Sequence, residues 1–184
     1  MGDLILSLYS MKRGFINVLV FLFLLSLEGC FLFPDPKETL PPATQTGANT
    51  FGFLLNGQVW LPSGNDGYPN LSPTYEPNFN GKPIFNISCY RYASNNERQD
   101  FGLGINGIYR EGIYDVSVDS IASALFTSKN CEYLYYDSLV YRRGTITITK
   151  LALPIISGTF NFVMYKPGCD SVKITDGRFD FKLI

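Results

Sequence analysis

The 184-residue sequence contains no histidine. That absence excludes Ser-His-Asp and Cys-His catalysis, imidazole metal ligation and a histidine pH switch. Charge is scarce as well. Asp, Glu, Lys and Arg make up 17% of the chain, with 15 Lys plus Arg against 16 Asp plus Glu. Asp3, Lys12, Arg13 and Glu28 lie upstream of Cys30, so the remainder carries the same net charge of -1. No basic excess points to nucleic acid, and no acidic block reads as a solvated tail. Ala, Glu and Lys are sparse after Cys30, no stretch has helical periodicity, and no internal repeat is present. No motif points to a cofactor.

The first thirty residues read as an export leader. Met11-Lys12-Arg13 is a positive start, and Phe15 to Leu25 is almost wholly apolar. The run is short for a membrane span and its flanks fit a signal peptide. It ends at Leu27-Glu28-Gly29-Cys30, which resembles the lipobox of bacterial lipoproteins, with Cys30 as the lipidated residue. Residues 1–29 are therefore expected to be a lipoprotein signal peptide, with Met11 a candidate initiator. The alternative is an uncleaved anchor helix with an accidental cysteine. Several buried methylenes at ~0.8 kcal/mol each make a multi-chain acyl anchor stable. Residues 30–49 carry Pro34, Pro36, Pro41 and Pro42 and read as an extended tether between membrane and domain.

From Thr50 to Ile184 the residues favour strands. The whole chain has 12 Tyr and 15 Phe, and Thr, Val and Ile recur in alternation. Phe51 to Leu55 and Gln58 to Leu61 flank Asn56-Gly57, a type I′ hairpin signal. Trp60 is expected in the core. Pro62 to Lys82 is rich in Pro and Gly and reads as one long loop. Further strands are expected over 83–92, 100–108, 112–119, 121–127, 131–139, 145–149, 156–165, 172–175 and 178–184. Arg142-Arg143-Gly144 and Asp176-Gly177 are expected turns. The predicted fold class is all-β: one domain over 50–184, an antiparallel β-sandwich or partly closed barrel of about nine or ten strands.

With Cys30 assigned to lipid, Cys89, Cys131 and Cys169 remain, an odd number for an oxidising compartment. Cys131 and Cys169 both sit at turns and are the expected disulfide. Cys89 sits mid-strand and is expected to be a buried thiol.

Several weaker features carry chemistry. Tyr133, Tyr135 and Tyr136, with Tyr141 nearby, are a candidate aromatic platform for sugars, with cross-strand packing as the plainer reading. Ser120, Ser138 and Ser171 follow aspartate and precede an aliphatic residue, a pattern that resembles Bacteroidota O-glycosylation sites. Asp66 with Asn65, or Asp176 with Asp180, lacks the spacing of a calcium loop, and no metal site is expected. No pair of carboxylates stands out for glycoside hydrolysis. Gly102-Leu103-Gly104 is followed by no helix and is not a nucleotide fingerprint.

Three segments together carry a resemblance. They are Leu40 to Gly52 running into Asn56-Gly57-Gln58-Val59-Trp60, then Ile156 to Phe162, then Val172 to Asp180. This resembles a family of short Bacteroidota lipoproteins classed as a domain of unknown function, DUF6252. The resemblance implies a β-rich envelope domain and brings no catalytic residue. The expected function is a non-catalytic binding or assembly module, held on the membrane by lipid, with an envelope protein or a glycan as partner. Two alternatives are a carboxylate-dependent, glycan-active enzyme and an inhibitor or immunity-type lipoprotein inserting the 62–82 loop. The residues after Cys30, Phe31-Leu32-Phe33-Pro34-Asp35, lack the acidic stretch that resembles a Bacteroidota surface-export signal. The expected location is therefore the outer membrane, facing the periplasm.

Overall fold

The computed structural model describes residues 37–183. The leader and Cys30 lie outside the described residues. Thr39–Ile184 form one compact unit, and it holds every strand described.

The eleven strands are β1 (Thr50–Leu55), β2 (Gln58–Trp60), β3 (Leu71–Phe79), β4 (Lys82–Tyr92), β5 (Arg98–Asn106), β6 (Gly112–Val116), β7 (Ala122–Ser128), β8 (Cys131–Tyr133), β9 (Tyr141–Ala152), β10 (Ile155–Tyr165) and β11 (Val172–Lys182). No helix forms among the described residues. Alternation explains the strands. In β10, Phe160, Phe162 and Met164 are buried while Thr159, Asn161, Val163 and Tyr165 face out. In β9, Ile146 and Ile148 are buried between partly exposed threonines.

The strands form one sheet in the order β2-β1-β11-β10-β9-β6-β7-β5-β4-β3, with β8 paired to β7. Every pairing is antiparallel except one contact between β6 and β7, Val116 opposite Ala122. The sheet folds over on itself at that point. Phe51 on β1 meets Phe101 on β5 with ring centroids 5.5 Å apart, and Phe85 on β4 meets Phe179 on β11 at 5.4 Å. Between the two layers lie Phe53, Trp60, Phe160, Phe162 and Phe181, all buried. Each such ring contributes roughly 1.5–3 kcal/mol by leaving water. The Trp60 indole N–H donates to Gln99 Oε1 at 2.8 Å, so its one polar atom is satisfied.

The two edge strands do not close the barrel, but the chain leaving β2 narrows the gap. Ser63 N donates to Tyr90 O at 3.2 Å, and Tyr92 N donates to Ser63 O at 3.3 Å. Arg91 Nη1 donates to Val59 O at 3.1 Å. The molecule is a β-sandwich with one partly closed corner.

Four local expectations need correcting. Pro62 to Lys82 is not one loop, because β3 runs through it. Pro73 and Pro77 are tolerated because β3 is an edge strand, paired on one side only. Arg142-Arg143-Gly144 is not a turn but part of β9. A Cβ on Gly144 would fall 2.1 Å from Asn161 O, so glycine there permits close strand approach. Asp176-Gly177 is not a turn but a bulge inside β11. The register slips there against both β1 and β10, and Asp176 takes a φ of 53°. The 131–139 strand stops at Tyr133, and the chain then turns.

The expected tether also changes at its distal end. The compact unit begins at Thr39 rather than near Thr50, because residues 40–49 form a strap on the sheet. Gly52 faces outward on β1, and Leu40, Pro41 and Leu61 lie over it. A Cβ there would meet Leu61 Cδ2 at 2.6 Å and Leu40 Cδ2 and Pro41 Cδ at 3.2 Å.

Candidate functional site

The predicted tyrosine platform divides. Tyr133 ends β8 and is buried, packed near Phe126 with its hydroxyl donating to Asp170 O. Burial raises its pKa, and the nearby Asp170 charge adds to this. It is a core residue and not part of a surface platform. Tyr135 and Tyr136 are exposed, the latter 71%, and their rings meet edge to face at 5.1 Å. Leu139 beside them is 65% exposed.

These exposed side chains sit on a loop, 134–140, that is fixed at both ends. Tyr133 and Val140 are buried anchors. Arg142, 5% exposed, reaches under the loop and donates to Tyr135 O and, at 3.2 Å, to Asp137 O. Burial lowers the Arg142 pKa, and the Asp137 charge opposes this. Arg142 Nε is buried without a partner. Lys166 Nζ pairs with Asp137 Oδ2 at 2.9 Å and donates to Glu132 O at 3.3 Å. The Lys166 contact, aided by Leu139 N, holds the Asp137 carboxyl below its ordinary pKa. Next to the loop, Cys131 and Cys169 form a disulfide with Cα atoms 5.9 Å apart. Cys89 is a free, buried thiol whose pKa burial raises, with Asp100 adding to the shift. A rigid loop loses little entropy on binding, and exposed tyrosines suit a contact surface.

Tyr135 borders a trough on the outer face of β4, β5 and β7. The strand register places Asn86, Gly104 and Ser123 in one row and Ser88, Gly102 and Leu125 in the next. Gly102 and Gly104 point outward between buried Phe101, Leu103 and Ile105; Leu125 leans over the first and Asn86 over the second, so both glycines are buried, while Arg98 and Asp100 continue the same face. Two adjoining hollows of about 130 and 230 Å³ result, sharing Ser88, Gly102 and Leu125. The larger ends at Tyr90, Arg98 and Asp100. Arg98 lies 4.3 Å above the Tyr90 ring and pairs with Asp100 at 2.7 Å and with Asp66. Tyr92 donates to Asp66 Oδ1 at 2.7 Å. This cluster ties the 61–70 segment to β4 and β5.

Asp180 is the one carboxylate buried among the described residues, 1% exposed, and the sequence reading did not single it out as a structural centre. It lies on the outer side of β11 beneath the strap. Its oxygens accept from Thr44 Oγ1 (2.6 Å), Thr46 N (2.9 Å), Thr46 Oγ1 (3.4 Å), Gly47 N (2.8 Å), Ala48 N (3.1 Å) and Ser157 Oγ (2.7 Å). Burial pushes its pKa up, but these hydrogen bonds outweigh burial and hold the carboxyl well below its usual range. Lys150 Nζ donates to Gln45 O at 2.8 Å and Arg178 Nη1 to Pro41 O at 3.3 Å. Nothing in the sequence marked it, since an acid between two inward phenylalanines is what ordinary strand alternation puts at an outward position.

The three serines are scattered. Ser138 and Ser171 are exposed, whereas Ser120 is half-buried and donates to Asp115 O. Asp66 and Asp180 are engaged by Arg98 and the strap. No group of three or more potential metal-ligating His, Cys, Asp or Glu occurs among the described residues.

A family profile described as "Domain of unknown function (DUF6252)" matches residues 90–181, half of the chain. The chain belongs to this family. No curated protein and no solved structure matches it. The DUF6252 match takes in Tyr90, β5 to β10, the 134–140 loop, the disulfide and Asp180 up to Phe181. The strap, β1 to β3 and most of β4 lie before it, so Asn86 and Ser88 fall outside the match.

Proposed function

We propose that this protein is a lipid-anchored bacterial envelope lipoprotein whose β domain is a non-catalytic binding or assembly module. The pinned 134–140 loop carries the binding part of this reading. Exposed Tyr135, Tyr136 and Leu139 on a segment held by Arg142, Lys166 and a disulfide form a preorganised contact surface. The lipobox-like Leu27-Glu28-Gly29-Cys30 supports the anchor, and a disulfide suits an oxidising compartment. The missing acidic stretch after Cys30 favours the periplasmic face of the outer membrane. Exposed Ser138 and Ser171 are better placed than Ser120 to carry sugars.

A glycan hydrolase needs an acid whose pKa is raised. Asp180 is buried, yet its hydrogen bonds shift it in the opposite direction and fill it with protein partners. The inhibitor alternative loses much of its inserting loop, since β3 occupies residues 71–79.

Two measurements test the reading. Palmitate labelling should disappear in Cys30→Ser, and unchanged labelling removes the anchor. A photo-reactive residue at position 136 should capture an envelope partner or glycan in living cells. Turnover of a glycan or peptide panel by the purified protein overturns the non-catalytic assignment.

A further inference from the structure

We propose that the cleft between edge strand β3 and the end of β11 binds a single-chain lipid with an anionic head group, and that Lys182 meets the head. The site is separate from the 134–140 loop and does not depend on it. The cleft includes Pro154, just before β10, whereas the loop is tied to Lys166, just beyond the other end of that strand.

The cleft exists because the sheet does not close. β3 pairs with β4 alone. Across a gap from it lie the β9–β10 turn and the end of β11. Pro73, Tyr75 and Pro77 line one side, and Leu153, Pro154 and Leu183 line the other. Tyr75 and Leu183 also pack against the core. Leu183 N donates to Pro154 O at 2.7 Å, which fastens the second side. The volume is about 620 Å³, inside the range of small-ligand sites, roughly 300–1,000 Å³.

The walls suit a hydrocarbon chain better than a peptide. The six side chains are aliphatic, proline rings or an aromatic ring. An extended peptide that joins a sheet edge takes its affinity from backbone hydrogen bonds. Pro73 and Pro77 have no N–H, so the free edge of β3 offers an interrupted ladder. A hydrocarbon chain needs no such partners and gains by leaving water.

The one charge selects the head group. Lys182 is the only charged residue in the lining. Its ammonium makes no ion pair or hydrogen bond with another described residue. Its backbone is fixed, since Lys182 N donates to Asn49 Oδ1 at 3.0 Å. The strap passes close by, and a Cβ on Gly47 would fall 2.9 Å from Lys182 Cβ. The nearby acids do not compete. Asp180 is enclosed by the strap, and Glu76 of β3 lies outside the lining and accepts from Asn78 N at 3.4 Å. Thr74 adds a hydroxyl to the lining. Apolar walls with one unmatched cation complement an acyl chain that ends in an anion.

The test uses the full chain in phosphatidylcholine nanodiscs and a hexadecanoate that carries a diazirine on its chain. Every variant then faces the same competing bilayer. After photolysis and digestion the adduct should map to residues 73–77, 153–154 or 182–183. The matching alkyl trimethylammonium should label these residues about ten-fold less or weaker still. Lys182→Glu, at an exposed position, should lower labelling by hexadecanoate about ten-fold with the thermal midpoint retained, and Lys182→Arg should keep most of it. Lys173→Glu, on the same strand but outside the cleft, should label like the parent, which separates a head-group contact from a change in overall charge. No adduct in these three segments, equal labelling by the cation, or undiminished labelling of Lys182→Glu overturns the assignment.

Discussion

The strap over β11 and the 134–140 loop beside β8 are held in opposite senses. Beneath the strap a buried anion, Asp180, gathers backbone N–H groups and hydroxyls. Beneath the loop a buried cation, Arg142, gathers carbonyl oxygens. Both solve the same problem. A segment without a strand partner must place its polar backbone atoms somewhere, and a buried charge is tolerable when those atoms surround it. The outcomes differ. The strap turns its polar atoms inward and covers the sheet. The loop turns carbonyls inward and leaves Tyr135 and Tyr136 facing water. The first device closes a surface and the second presents one.

The largest expected effect distinguishes covalent from polar fixation. Replacing Cys131 and Cys169 together by serine should cost about 4 kcal/mol on the chain-entropy argument for residues 38 apart. Urea unfolding checks this, and a loss under 1 kcal/mol shows that Arg142 and Lys166 hold the loop unaided. Asp180→Ala comes next, at about 3 kcal/mol, because strap N–H groups lose a charged acceptor. Proteolysis should then cut within residues 40–49 of the otherwise folded protein. If the strap stays protected, Leu40 and Pro41 over Gly52 are its main hold.

The same aspartate has a pH signature. Its folded pKa lies below the unfolded value of about 3.9. Its stabilisation is therefore complete above that value and is lost as pH falls below about 4 toward the folded pKa. The stability gap between the parent and Asp180→Asn should shrink below about pH 4 and stay constant from pH 5 to 7. A gap independent of pH throughout indicates that the carboxylate is not the strap's acceptor.

Arg142→Met should cost about 2 kcal/mol, since Tyr135 O and Asp137 O lose their donor while the apolar stem is kept. It should also raise amide exchange over residues 134–140. Tyr136→Ser is the smallest, under about 0.5 kcal/mol, because the side chain is mostly in water. A loss above 1 kcal/mol places Tyr136 in the structural core and removes it from the contact surface.

Much of the sheet was legible because period-2 alternation is a local signal. The hairpin at Asn56-Gly57 follows directly from turn chemistry, with φ of 49° and 84°. The Cys131–Cys169 bridge and buried Cys89 were legible by elimination and position. Signals that name a residue type without its partner misled. Gly144 and Gly177 look like turns, yet both lie in strands where a neighbouring backbone or ring comes close. Pro73 and Pro77 look like loop, yet an edge strand accepts them. Tyr133 looked like Tyr135, but β8 ends between them, so one is in the core and the other at the rim.

Composition and alternation alone dictate an all-β chain without histidine chemistry and most of its strand set, β3 excepted. These properties depend on neighbours in the sequence. The tertiary structure decided what depends on residues far apart. Asp180 and Thr44 are separated by 136 positions, and Gly104 is covered only because the fold sets Asn86 beside it on β4. Burial and hydrogen-bond satisfaction are set by the folded surroundings, and so it took the fold to turn an ordinary aspartate into an anchor.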